Sequence, residues 1–321
     1  YSGFGVSEAL AGEASLGWQG AQYVGLVAGP SEFRSKLAGG IVNIGPLDIP
    51  LSEGRLTTAP RVLLNSPTPA VVVERGPLIQ NVRISPEMCS LWLKFVAPLV
   101  ADATRAEGKF SLSLEGAAVP IADPVTSDVT GTLAIEQAQI GPGPLAQQYL
   151  GVVQQLRSFF DASAGAAAAD PNRGWLILPK QDVAFEVRQK VVHHHGLMMT
   201  VKDLVITTEG TVGIESQQIN LLASIPVPES WLKNDKKFAF LKGHTIKIPV
   251  TGTLSQPQLD RRVIENLGKQ LVGSAVQGQI DKQVERGQEL IQKQLGNGLN
   301  KLFGPLGPQP QPQPGPVPAP R

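Results

Sequence analysis

The stretch best equipped for chemistry is Val191–Gly196, VVHHHG, where three consecutive histidines could offer imidazole nitrogens to a metal. On a strand, alternate side chains point to opposite faces, so His193 and His195 look one way and His194 the other. Two imidazoles with no carboxylate or thiolate beside them make a poor metal site, and a polar strand end or turn accounts for the run as well. His244 precedes an alternating segment and reads as a turn residue. The single cysteine, Cys89, sits among apolar residues on a helical pattern, where a buried, inert thiol is expected rather than a nucleophile. One cysteine also excludes an intrachain disulfide and a cysteine-based zinc cluster. There is no G-x-S-x-G, no suggestive pairing of His with Asp, and no convergent pair of carboxylates for acid–base work. Leu37–Pro46, LAGGIVNIGP, has glycines but lacks the Lys-Ser/Thr of a phosphate loop, so turn chemistry explains it. The chain reads as non-enzymatic, without catalytic residues, metal or cofactor.

If little here reacts, the elements themselves must carry the function. The 321 residues are 42% hydrophobic but only 5% aromatic, with 34 Gly and 27 Pro, a mix suited to many short aliphatic strands and turns. A formal net charge of +1, with Lys and Arg dispersed, provides no electrostatic footprint for nucleic acid. Numbering opens on Tyr1 rather than Met, so the chain is expected to start inside a longer gene product. No run within it approaches 18 apolar residues.

Period-2 alternation recurs throughout. Phe110, Leu112 and Leu114 share a face, as do Val183, Phe185 and Val187, then Ile219, Leu221, Ala223 and Ile225, then Ile246, Ile248 and Val250. Further strands are expected near Ser15–Val27, Ile41–Ile49, Arg61–Leu64, Val71–Val73, Leu78–Ile84, Val129–Gln139 and Leu204–Glu215. A Ser85-Pro86-Glu87 start predicts a helix near Pro86–Arg105, kinked at Pro98. Its Trp92-Leu93-Lys94-Phe95 cluster reads as core packing. Leu145, Tyr149, Val152, Val153 and Leu156 predict another helix over Pro144–Phe160, and an apolar stripe from Leu259 to Phe303 predicts terminal amphipathic helices. That stripe would cover the last strand's edge, or alternatively lie on a membrane surface or a partner. The pentapeptide VTGTL occurs at Val129–Leu133 and again at Val250–Leu254, each copy followed by a helical pattern. The expected organisation is a first β-rich half at 1–160, a small-residue linker at 161–173, a second β-rich half at 174–257, helices at 258–303 and a disordered Pro-rich tail at 304–321.

Roughly a dozen one-faced strands are too many for three or four helices to cover. Either two sheets face each other in a β-sandwich, or one long curved antiparallel sheet forms a groove around something apolar. Aliphatic rather than aromatic strand faces lean toward the groove.

The run IPVTGTLSQPQLD, followed by an amphipathic helix, resembles the C-terminal signature of AsmA-like and TamB-like envelope proteins. The upstream GLMMTVKDLVITTEGTVGIESQQINLLASIPVP resembles the strand–turn–strand unit that precedes it. The likeness covers Trp175–Phe303 and is suggestive over Phe33–Phe160. It implies a bridge-like lipid-transfer groove in the periplasm, anchored to the inner membrane by an N-terminal segment absent from this chain. The implied partners are phospholipids or other acyl lipids, with a membrane surface or envelope proteins in addition. Acyl chains would lie along Val183, Phe185, Val187, Ile219, Leu221, Ile225, Ile246, Ile248 and Val250. The competing reading is an extracellular or periplasmic β-sandwich scaffold or adhesin without a ligand.

Overall fold

A computed structural model describes residues 4–160, 176–201, 204–232, 242–260, 262 and 266. Alternation wins over most of this length, and the strands join into one curved antiparallel sheet of 19 strands. The groove form of the fold is what these residues adopt, with no second sheet among the described residues.

The strands follow one another along the chain. They are β1 (Gly12–Trp18), β2 (Ala21–Tyr23), β3 (Leu26–Ala28), β4 (Ser31–Ala38), β5 (Ile41–Ile44), β6 (Leu47–Leu51), β7 (Gly54–Thr58), β8 (Arg61–Leu63), β9 (Ala70–Val73) and β10 (Gly76–Arg83). Beyond them come β11 (Ala106–Pro120), β12 (Asp128–Ile140), β13 (Leu176–Leu178), β14 (Gln181–Arg188), β15 (Val191–Val201), β16 (Leu204–Gly213), β17 (Ile219–Pro226), β18 (Thr245–Gly252) and β19 (Pro257–Leu259). Pairings show a simpler plan. β1–β4 and β2–β3 form one pair of rows, β4–β5 and β3–β6 the next, then β5–β8 with β6–β7, and β8–β9 with β7–β10. The first five rows are therefore each two strands placed end to end. Gly20, Gly29-Pro30, Gly45-Pro46 and Pro60 interrupt the first four, because proline lacks a ladder donor and glycine loosens a strand. The long β11 then takes β9 and β10 on one edge and β12 on the other, and the meander continues in order to β19. The two halves read from the sequence thus share one sheet, joined where β12 pairs with β14 over Val129–Ile135.

Bulges curve it. Register slips occur between Ile79 and Val82, Lys109 and Phe110, Leu114 and Gly116, and His194 and Leu197, each adding twist and bend. Among the described residues, the α-helical segments that connect strands lie at one end of the rows: Pro86–Met88 and Lys94–Val96, joined by a π-helical stretch Cys89–Leu93, between β10 and β11, Pro144–Phe160 between β12 and β13, and Glu229–Leu232 between β17 and β18. Connections at the other end are turns or short loops, such as Gly39-Gly40 with φ of 57° and 73°.

Ser85 caps the first helical segment, its hydroxyl accepting from the Met88 amide at 3.2 Å. The expected continuous helix to Arg105 stops at Val96. Ala97, before Pro98, is held at φ −127° and ψ 75°, outside the helical region, and Pro98–Val100 forms a separate 3-10 turn. Trp92 ties the segment down, donating to the Val24 carbonyl at 3.2 Å and meeting Phe110 edge-on at 5.7 Å. The expected strand Ser15–Val27 is likewise divided, since Val24 and Gly25 turn the chain with φ of 47° and 85°. Of the terminal helices expected at 258–303, Gln258 and Leu259 belong instead to strand β19 and a C-terminal helix capping the sheet is not supported; apart from residues 260, 262 and 266, the rest of that stretch, the linker and the tail lie outside the described residues.

The two VTGTL copies differ in use. Gly131 lies mid-strand in β12, where an added Cβ would sit 2.5 Å from the Ser113 carbonyl oxygen and 3.0 Å from the Phe185 ring. Gly252 closes β18 at φ 90°. Gly131→Ala is expected to cost about 1–3 kcal/mol through overpacking. Gly151→Ala, on the exposed face of the long helix with open space around it, should instead gain roughly 0.5–1 kcal/mol. Urea denaturation of the two variants distinguishes a strand position that demands glycine from a helix position that does not.

Candidate functional site

Paired residues share a face of a sheet, so the registers trace its inner surface across the rows. Leu37 opposes Val42, Val42 opposes Val62, and Val62 opposes Val71. Two residues on, Val73 opposes Ala117, and the line continues through Val129, Val187, Val192 and Val212 to Ile219. A second line runs Ile49, Leu56, Ile79, Leu112, Leu133, Val183. No Asp, Glu, Lys or Arg occupies an inward position of any described strand. Charges are spent outside, as in the ion pairs Lys36–Glu13 at 3.5 Å, Arg61–Glu74 at 2.9 Å and Lys180–Glu136 at 2.9 Å. These exposed pairs contribute little stability. Their consequence is orientation: every row presents its apolar side the same way.

That inner surface is covered unevenly. Eight of the nine groove residues expected from the sequence, namely Val183, Phe185, Ile219, Leu221, Ile225, Ile246, Ile248 and Val250, are buried, and Val187 is half-buried. The structure brings them onto one continuous inner face. Helical residues 94–96 pack against β15 and β16, and the long helix reaches β19, where Gln148 Nε2 donates to the Pro257 carbonyl at 2.6 Å. Toward the N-terminal rows the covering stops. Val96 is the last helical side chain on a cluster of Leu114, Ala117 and Phe185, around which Val73, Leu78, Val129 and Val187 are only partly buried. Beyond it Phe33, Leu37, Val42, Leu47, Ile49, Leu56, Val62 and Val71 are all half-buried, as Val187 is, whereas most of the inner face from β12 onward is fully buried. Sequence reasoning passed over these residues. Their signal was present in SEFRSKLA at Ser31–Ala38, where Phe33, Ser35 and Leu37 alternate with Glu32, Arg34 and Lys36, but a serine in the inward series weakens the pattern.

The histidines divide as their strand geometry requires. His193 and His195 face outward and are exposed, while His194 faces inward and is fully buried. Thr208 Oγ1 donates to the Leu197 carbonyl at 3.5 Å, which leaves it to accept from His194 Nε2–H at 3.4 Å. His194 Nδ1 is then an acceptor without a partner. Burial, with a smaller contribution from His195, pushes the His194 pKa down to about 4. Among the described residues no group of three or more His, Cys, Asp or Glu side chains could hold a metal. Cys89 is buried and its thiol is pushed up to about 12 by desolvation, which suppresses the nucleophilic thiolate. Tyr149 is buried too, its hydroxyl unpartnered and its pKa raised by desolvation. An open cleft of about 730 Å³ lies between the turns at Gly25 and Ser52-Glu53 and the helix start at Ser85–Met88. The Arg83 and Lys109 side chains at this end both reach Glu53, at 3.2 and 3.8 Å, sharing one carboxylate between two cations. No helix among the described residues is long and apolar enough to cross a membrane.

Comparison with protein-family models, with curated proteins and with solved structures finds no match.

A base whose pKa falls on folding leaves the folded state with fewer protons, so stability is lost as pH falls. For His194 the loss runs from about 6.5 down to about 4 and amounts to on the order of 3 kcal/mol. His194→Leu should flatten this limb of a plot of Tm against pH while leaving the melting temperature at pH 8 equal or higher. An unchanged acid limb would show that the imidazole is not the group responsible.

Proposed function

We propose that the chain is a non-enzymatic lipid-binding protein of the cell envelope, and that acyl chains lie on the uncovered inner face of the N-terminal rows. The observation that carries this reading is the run of incompletely buried apolar residues across Phe33, Leu37, Val42, Ile49, Leu56, Val62 and Val71, with no charged residue at an inward position of these rows. A contiguous apolar surface of this kind in contact with water is costly, at about 25 cal/mol per Å², and an acyl chain removes that cost without needing a single directed hydrogen bond. A lipid headgroup would remain in water at the mouth of the trough. The resemblance of Trp175–Phe303 to AsmA-like and TamB-like proteins supports the same assignment and, with it, a periplasmic setting and passage of phospholipid between membranes. Within that reading the rows from β12 onward, where the inner face is buried apart from Val129 and Val187 near the turn end, form the closed part of the trough, and the earlier rows form the part that accepts ligand.

Lipid extraction and mass spectrometry of the purified protein tests it. Phospholipid or fatty acid should co-purify. Val42→Glu and Val62→Glu, which place a carboxylate on the open surface, should each lower bound lipid by roughly tenfold with the fold intact. Ile248→Glu, at a fully buried position, should unfold the protein instead. Absence of co-purified lipid, together with wild-type behaviour of both valine variants, would leave the unliganded scaffold as the better account.

A further inference from the structure

In the middle of the sheet the trough changes character within a few rows. Val73 of β9, Val129 of β12 and Val187 of β14 are inward residues that are only half-buried. In β15, the next row, the inward residues Val192, His194, Leu197 and Met199 are each no more than 2% exposed. It is on β15 and β16 that helical residues 94–96 pack. Between the two regimes lies the cluster of Leu114, Ala117 and Phe185, with Val96 against it, and Phe185 is its one aromatic member. The Phe185 side chain has a prepared seat. Its partner in β12 is Gly131, which in turn stands opposite Leu114 of β11. A Cβ at position 131 would lie 3.0 and 3.1 Å from Cζ and Cε1, the far end of the ring, so the ring leans over β12 toward the earlier rows. On its other side Phe185 is paired with the sealed His194.

We infer that Phe185 is the end stop of the open trough, the residue against which the terminal methyl of an acyl chain comes to rest. This rests on acyl chains occupying the uncovered rows, and it adds a direction to that reading: methyl end toward β14, polar end toward the earlier rows. The chemistry of the border sets the direction, because every residue of the cluster is apolar. A carboxylate or headgroup pressed against it would lose its water with nothing in exchange, whereas a methyl group gains from the same contact. A chain extended across the rows crosses one strand about every 4.8 Å, and Phe185 fixes the row at which it halts. Gly131 serves the same end, since any side chain there would push the ring back from β12.

Two photoreactive palmitic acid analogues, one with a diazirine beside the terminal methyl and one with it beside the carboxylate, test this on the full chain. After irradiation and peptide mass spectrometry, the methyl-end probe should label Val96, Val129, Phe185 or Val187, the carboxylate-end probe should label β4–β9, and neither should label β15. Phe185→Ala empties an apolar space that the chain end can enter, so methyl-end adducts should move one row on, by about 4.8 Å, to Val192 and His194. If that truncation unfolds the protein, Phe185→Leu should give the displaced adducts in part. Equal labelling of the Phe185 border by both probes, or methyl-end adducts on β15 of the unmodified chain, would overturn the end stop and leave lipid binding standing. Absence of adducts from either probe would remove the lipid reading together with it.

Discussion

One constraint governs this molecule: side chains on a strand alternate with a period of exactly two, so a shift of one residue would turn an apolar face outward along a whole row. Every row obeys the same assignment of charge to one face and aliphatic to the other. Because neighbouring rows are matched through pairs such as Val42–Val62 and Leu133–Val183, an error in one would propagate to the next. The sheet is therefore specified by consistency between rows rather than by any strong individual contact. Its ion pairs reinforce this by making the wrong orientation expensive, although each adds little to stability itself.

From that constraint follows the division of labour. Among the described residues the α-helical connections lie at one end, so they cover the inner face from that side and can reach only so far. Where Val96 stops, the aliphatic face continues uncovered. The same periodicity thus yields a sealed core in one region and an apolar surface in another, with no change in the character of the strands. A local residue pattern could not distinguish the two regions, because covering is a property of what arrives from elsewhere in the chain.

This sets what the sequence could reveal. Alternation made the β class legible, along with the strands around Phe110, Val183, Ile219 and Ile246. It also placed His194 opposite its two neighbours. The helix start at Ser85-Pro86 was readable from its cap, and the long helix at Pro144 from its apolar spacing. Less visible were the breaks: Gly45-Pro46 divides what reads as one strand, and Pro98 ends a helix through the conformation it imposes on Ala97. Least visible was the open part of the trough. The expected lining was drawn from the most regular strands, and regularity marks the rows whose inner faces are sealed. The weaker alternation of Ser31–Ala38, with Ser35 in the inward series, belongs to the uncovered surface.

The ordering of the rows has a kinetic meaning. Since each row pairs with the row before it, most of the sheet can assemble hairpin by hairpin, with short loops to close at the turn end and little entropy lost at each addition. Growth can proceed in the direction of synthesis, each completed row providing a template for its successor. The exceptions are the three helical insertions, whose longer closures bring the slow steps to one end of the molecule. Elongation of such a sheet by another hairpin would leave every existing pairing untouched, which makes length the property most open to evolutionary change.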